Sequence, residues 1–408
     1  MTELLQSVVT IVLFLLILGT LVLIHELGHF VTARWAKVRV LEFGIGFPPR
    51  ARILGRGQRP AYDQGRPPRA DPALPPGVEP GSEEAQTFLA VARARDEEAG
   101  ATLYTLNWLP IGGFVKLEGE DGGDDGDPHS FANARLWVKV GILLAGVTMN
   151  LLLSLAIFTA IAFTGEPAIG VVVDTVVPGS PAEASGIVAG DTIVTVDGTR
   201  YSIFDVPDIS PLVDIRALAG QAVTLGVLHA DGTVEDVSAT LRVPASANEG
   251  ALGISSRRVI DSGTVTYAPA EAVSVGVSRT VNAFSLILGG LAELGESIVT
   301  DPTSAPPASG PVGIAVDLGN ILWNYGPLYV LYMAGLLSAN LALVNILPFP
   351  PLDGGRILVI LLKAIPRFGS RISLRAEQLT YAVGFVALFT FLIWITVFDV
   401  ARQVGGGQ

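Results

Sequence analysis

One feature constrains this chain more than any other. Residues 4–24 carry no charge and are mostly Leu, Ile and Val. A helix needs roughly 20 such residues to cross a bilayer. Three further uncharged runs reach that length, at 140–165, 321–352 and 378–398. Half of all residues are apolar, more than a soluble domain of this size needs. The first run opens Met1-Thr2-Glu3, with no basic residue before it and no small-x-small cleavage site after it. It is therefore expected to stay as a span rather than leave as a signal peptide. The third run ends in Leu347-Pro348-Phe349-Pro350-Pro351, which cannot remain helical, so its helix is expected over 326–347. A weaker stretch at 273–299 is interrupted by Arg279, Glu293 and Glu296. It reads as an amphipathic helix lying in the interface.

Basic residues set the orientation. No Lys or Arg precedes the first run, thirteen lie in 34–135, and the 363–375 loop has four with no acid. These basic segments are expected on the cytoplasmic side. Both termini and the segment 166–320 then face outward. The net charge of −12 argues against nucleic acid as a partner. There is no cysteine, which excludes disulfides, thiolate metal sites and a cysteine nucleophile.

The segments between the runs have their own character. Residues 38–54 and 102–119 are rich in β-branched and aromatic residues broken by Gly and Pro, and read as paired strands. Between them, 55–100 reads as an inserted loop, partly helical around 83–98. Residues 120–128 form a Gly/Asp linker whose spacing lacks the regular order of a calcium loop. Residues 169–198 alternate strand-like runs with Gly and Pro turns and read as the core of a globular outer domain.

The chemistry gathers at the end of the first run, in His25-Glu26-Leu27-Gly28-His29. Helical residues i and i+4 share a face, so His25 and His29 can hold one metal ion. Glu26 beside them is suited to take a proton from a water bound to zinc. Zinc needs a third protein ligand. His129 and His229, in the Gly/Asp linker and the outer domain, are poorly placed to supply it. Asp353, in Leu352-Asp353-Gly354-Gly355, is a candidate because the prolines and glycines around it let the chain turn back. The alternative is that Asp353 merely caps the next helix.

Taken together, these motifs closely resemble the site-2 protease family of intramembrane zinc metalloproteases, and within it the bacterial regulator-of-sigma-E protease group. The resemblance also rests on Ile111-Gly112-Gly113-Phe114-Val115-Lys116, on Ala145-Gly146-Val147-Thr148-Met149-Asn150 and on Ser309-Gly310-Pro311-Val312-Gly313. It implies Zn2+ held by His25, His29 and Asp353, with Glu26 as general base. It further implies that Asn340 and Asn345 hold the substrate strand or polarise the scissile carbonyl. Residues 169–198 look like a PDZ domain, one where the best-known relatives carry two. The strands near 38–54 and 103–117 resemble the family's membrane-associated sheet.

The expected fold is thus a polytopic α-helical membrane protein with four transmembrane helices, a small membrane-associated β-sheet and one PDZ-like domain. The expected order is a first span with the metal motif (1–35), a cytoplasmic β-hairpin region with the insert and linker (36–135) and a second span (136–165). A PDZ-like domain (166–256), an amphipathic helix and linker (257–320) and a third span (321–352) follow. The Asp353 segment with a cytoplasmic helix (353–377) and a fourth span (378–400) complete it. The expected activity is zinc-dependent cleavage of single-span membrane proteins, such as anti-sigma factors or signal-peptide remnants, in the bacterial cytoplasmic (inner) membrane. An inactive PDZ-bearing adaptor and a metal transporter are the rivals. The first predicts loss of Glu26 or Asp353, and the second predicts polar groups spread across several spans.

Overall fold

The computed structural model describes residues 3–57, 82, 86, 101–120, 127–205, 210–244, 250–301, 303–366 and 372–405. The expected insert, apart from residues 55–57, 82 and 86, and most of the Gly/Asp linker lie outside the described residues, and so does nearly all of the helix expected around 83–98. The chain divides into two units, residues 1–154 with 282–408, and residues 155–281.

The first unit opens with helix α1 (Glu3–Trp35). It ends where Lys37 takes a left-handed conformation at φ 62° and the Val38 N–H reaches back to the Ala33 carbonyl at 2.8 Å, a C-terminal cap made without glycine. Strands β1 (Val40–Arg56) and β2 (Leu103–Leu117) then form a two-stranded antiparallel sheet. β2 lies against α1. That approach explains the Gly112-Gly113 pair. Gly112 sits at φ +80°, and a methyl group there would stand 2.5 Å from Val22 Cγ1 on α1. At the base of the sheet, buried Arg39 binds Glu118 and, at 2.8 Å, Asp127. Val38, Val40, Leu117, Phe131, Ile142 and Leu143 close over Ala33 as a small core.

Helix α2 (Leu136–Thr164) follows the sheet in sequence, and its residues up to 154 belong to this unit. Nearer the C-terminus come α6 (Pro311–Tyr325), α7 (Pro327–Asn345), α8 (Asp353–Ala364) and α9 (Leu374–Gly405). The expected third-span helix, 326–347, corresponds to α7. The helix α6 stands where a linker was expected. It begins with proline at its first turn, a position that needs no N–H donor. Buried Asp399 of α9 accepts the backbone N–H groups of Gly310 and Gly313 at 3.1 and 2.8 Å, satisfying donors at the start of α6.

The second unit carries a six-stranded antiparallel sheet. Its strands are β3 (Glu166–Val176), β4 (Thr192–Val196), β5 (Thr199–Ser202), β6 (Ala222–Leu228), β7 (Val234–Thr240) and β8 (Ile254–Val265). The order is β7-β6-β4-β5-β3-β8, with β4 also pairing β3. Helices α3 (Pro181–Ala184) and α4 (Pro211–Ala217) flank it. Asp197-Gly198 makes the tight β4–β5 turn, with both residues at positive φ. Val171, Val173, Ile193, Leu225 and Val227 form the core. The sheet runs beyond residue 256, where the outer domain was expected to stop, because β8 pairs with β3 along most of its length.

Helix α5 (Pro269–Thr300) follows β8 in sequence. Its Arg279 is buried, forms a two-pronged bond to Glu166 at 2.7 and 2.8 Å, and binds Asp205 at 2.9 Å. Among the described residues, five helices are long and apolar enough to cross a membrane: α1, α2, α5, α7 and α9. The helix α5 passes that test although four spans were expected. Its charge at Arg279 is cancelled internally, while Glu293 and Glu296 remain exposed. The chain is a multi-pass membrane protein with an attached β-sheet domain.

Candidate metal centre

Three side chains from two distant stretches converge in the first unit. His25 Nε2 lies 3.1 Å from His29 Nε2, 3.0 Å of separation links it to Asp353 Oδ2, and His29 Nε2 stands 3.3 Å from the same oxygen. Both histidines are buried. The helical spacing of α1 places the two rings on one face. Asp353 arrives because the chain reverses after α7. Gly354 and Gly355 make that reversal possible, since added methyl groups would stand 2.0 Å from the Ile346 carbonyl oxygen and 2.5 Å from the Phe349 backbone. Asp353 is the first residue of α8, whose N-cap is Leu352, and it makes no capping bond. The capping alternative thus finds no support in the geometry.

The tautomer of His29 follows from its neighbour. Its Nδ1 lies 2.7 Å from the Ile142 carbonyl oxygen. A carbonyl only accepts, so Nδ1 carries a proton, and in the neutral ring Nε2 then presents a lone pair. That lone pair faces a second imidazole nitrogen and a carboxylate oxygen that has no hydrogen-bond donor. Atoms of this kind held so close need a positive charge between them, which either a proton on an imidazole or one metal ion shared by all three supplies. Ligand atoms at about 2.0–2.1 Å from a tetrahedral zinc ion stand about 3.4 Å from one another. The observed separations of 3.0 to 3.3 Å lie about 0.1 to 0.4 Å inside that spacing, so small outward shifts of the side chains would admit the ion. The donor set, two imidazoles and a carboxylate, is one that zinc accepts. These three residues form the only group of its kind among the described residues.

Glu26 and Asp353 share a cavity of about 120 Å³ with His29, Val115, Glu120 and Arg356. Glu26 Oε2 accepts the backbone N–H of Val115 on β2 at 3.1 Å. The Gly112-Gly113 stretch therefore does two jobs, letting β2 approach α1 and bringing a donor to Glu26. Arg356 pairs with Glu120 at 2.6 Å. Once ionised, Glu26 and Asp353 leave two negative charges in the cavity for a dication to balance.

Asn340 and Asn345 are half-buried on α7 and do not line this cavity. His129 binds the Lys37 carbonyl at 2.9 Å and His229 pairs with Asp191 within the second unit, and neither belongs to the group. Sequence reasoning missed three contributors on α2. They are the Ile142 carbonyl, Asn150, and Gly146, where a methyl group would stand 2.5 Å from His29 Nε2 and 2.7 Å from His25 Cε1. The Ala145–Asn150 motif held two of them, but nothing in its residue types pointed to the histidines.

A family model for peptidase family M50 matches residues 13–58 and 93–391. The chain belongs to peptidase family M50. This is the site-2 protease family, and the chain is a membrane zinc metalloprotease. Several of its relatives are named as candidate zinc metalloproteases. One from Clostridium acetobutylicum is 30% identical over 98% of this chain and 99% of its own length. Another from Brucella suis is 25% identical over 96% of this chain and 94% of its own. A third from Rhizobium meliloti is 27% identical over 95% and 94%. The M50 match runs across both histidines, Glu26 and Asp353.

Proposed function

We propose that this M50 protease cuts single-span membrane proteins within or near their transmembrane segments. In this reading His25, His29 and Asp353 hold the zinc ion and Glu26 is the general base. The observation that carries it is the meeting of three lone-pair atoms within 3.3 Å, with the His29 tautomer fixed from behind. Bound zinc would polarise the scissile carbonyl and acidify a water molecule. Glu26, anchored through Oε2 by the Val115 N–H, takes the proton as the water oxygen attacks the carbonyl carbon. It then returns the proton to the amide nitrogen as the C–N bond breaks, so that the amine leaves neutral.

A transmembrane helix hides its peptide bonds in internal hydrogen bonds. It must unwind before attack, and pairing as a strand with the β1–β2 sheet would hold it open. Asn340 and Asn345 are proposed to hold that strand or polarise the carbonyl, a role that rests on the family resemblance and on their helix leading into the Asp353 turn. The proposed location is the bacterial cytoplasmic membrane, and the distribution of Lys and Arg supports an orientation with both termini and the PDZ-like outer domain outside. The exposed Glu293 and Glu296 favour α5 lying in the interface, which leaves four spans. Anti-sigma factors and signal-peptide remnants are the proposed substrates.

The test is cleavage of a tagged single-span substrate by the full-length protein in detergent. Wild type should cut and Glu26→Gln should not, at equal zinc content. Equal cutting by both would remove Glu26 from its role. No cutting by zinc-loaded wild type across several such substrates would overturn the substrate class.

A further inference from the structure

The two histidines of the metal group are held from behind in different ways. His29 Nδ1 donates to a backbone carbonyl, which fixes its ring. His25 Nδ1 faces a side chain, the amide of Asn150 on α2, at 3.3 Å. Asn150 is fully buried, and its Oδ1 has no hydrogen-bond partner. In the arrangement drawn, the amide nitrogen faces the ring and the oxygen is stranded. The two ends of an Asn amide have the same shape, and which is which follows from the hydrogen bonds they can make. Turning the amide over places Oδ1 against His25 Nδ1. That one change gives the stranded oxygen a donor and gives His25 the same tautomer as His29, with its Nε2 lone pair aimed at Asp353 and His29.

From this arrangement we infer that Asn150 is a positioning residue for the metal centre, accepting the Nδ1–H of His25 through its amide oxygen. The inference rests on the proposed ligand set. Two contacts support it. The Ser338 hydroxyl of α7 donates to the Asn150 carbonyl at 2.8 Å, which fixes the backbone that carries the amide. Gly146, one turn earlier, lets α2 come close enough for the amide to reach. Ligating histidines commonly donate their second ring N–H to an acceptor, and loss of that acceptor lowers metal affinity by about 10- to 100-fold. A carboxylate at this position accepts the same hydrogen more strongly.

The test is zinc affinity, read by chelator competition on the full-length protein in detergent for wild type, Asn150→Asp and Asn150→Leu. Asn150→Leu should bind zinc about 10- to 100-fold more weakly. Asn150→Asp should bind at least as tightly as wild type, and the cobalt-loaded form should keep the wild-type visible spectrum. Leu binding within threefold of wild type would overturn the inference. So would a tenfold or greater loss in Asn150→Asp, because an amide that donates to His25 predicts that loss. If Asn150→Leu does not fold, Asn150→Ala, which also removes the acceptor, is read beside Asn150→Asp with the same expected loss and the same overturning result. A wild type that fails to bind zinc would instead sink the ligand set, and the two failures are therefore separable.

Discussion

The approach of α2 to the histidines makes Gly146 a sharp test of the site. A methyl group there would stand 2.5 Å from His29 Nε2 and 2.7 Å from His25 Cε1, whereas ordinary contact begins at 3.4 Å. Both rings are buried, and His29 is tied to the Ile142 carbonyl of the same helix, so neither can swing away freely. Gly146→Ala must therefore displace a ligand by about 0.9 Å, against a tolerance in ligand distances of about 0.2 Å. A misplacement of about 1 Å costs on the order of 100-fold in rate, and zinc retention should fall with it. Alanine suits a helix better than glycine by about 1 kcal/mol, so weakened helix formation cannot explain such a loss. Gly141 on the same helix supplies the control, because a methyl group there meets nothing within 4 Å. The assay is zinc retained after dialysis together with peptidase activity. Gly141→Ala should match wild type while Gly146→Ala loses both. A fully active, zinc-replete Gly146→Ala would refute this geometry.

Other perturbations bear on the scaffold. Asp399→Ala leaves the Gly310 and Gly313 N–H groups without their acceptor, at about 1–3 kcal/mol each. It should lower the unfolding midpoint in detergent, and an unchanged midpoint would contradict the capping role. Arg279→Met strands Glu166 in a buried site at a cost of about 3–5 kcal/mol. Adding Glu166→Gln should recover part of the loss in thermal unfolding, and a merely additive double variant would argue against direct pairing. In the outer domain, the hydrogen bond to Asp191 raises the His229 pKa above its ordinary value. The folded state then holds the proton more tightly than the unfolded state. The stabilisation is full below about pH 6.5 and fades as pH rises through the raised value. The gap in unfolding midpoint between wild type and His229→Gln should be wider at pH 6 than at pH 9, and the reverse order would contradict the assigned direction.

The parts of the site built on regular periodicity were legible in the sequence. His25 and His29 meet because helical spacing of four fixes a shared face. The Pro-rich turn and Gly354-Gly355 signalled a chain reversal that brings Asp353 back. The β1–β2 pairing was visible in composition. Contacts made by featureless groups were not. The Ile142 carbonyl is a backbone atom, and Asn150 lies 125 residues from its partner. The importance of Gly146 depends on what packs against it, which no local pattern records. Asp399 directly follows the fourth uncharged run, and nothing near it in the sequence points to the helix it caps, which starts 88 residues earlier in the chain. Charge pattern marked α5 as interrupted, but its arginine is neutralised by residues distant in sequence, and that pairing becomes visible only in the fold.

The central claim is that one metal ion is shared by His25, His29 and Asp353. The most direct measurement is zinc per chain, by elemental analysis of purified protein, for single alanine variants of these residues and of His129 and His229. The account predicts about one zinc in wild type, His129→Ala and His229→Ala, and a large loss in His25→Ala, His29→Ala and Asp353→Ala. Full zinc in Asp353→Ala, or loss of zinc in His129→Ala or His229→Ala, would contradict it.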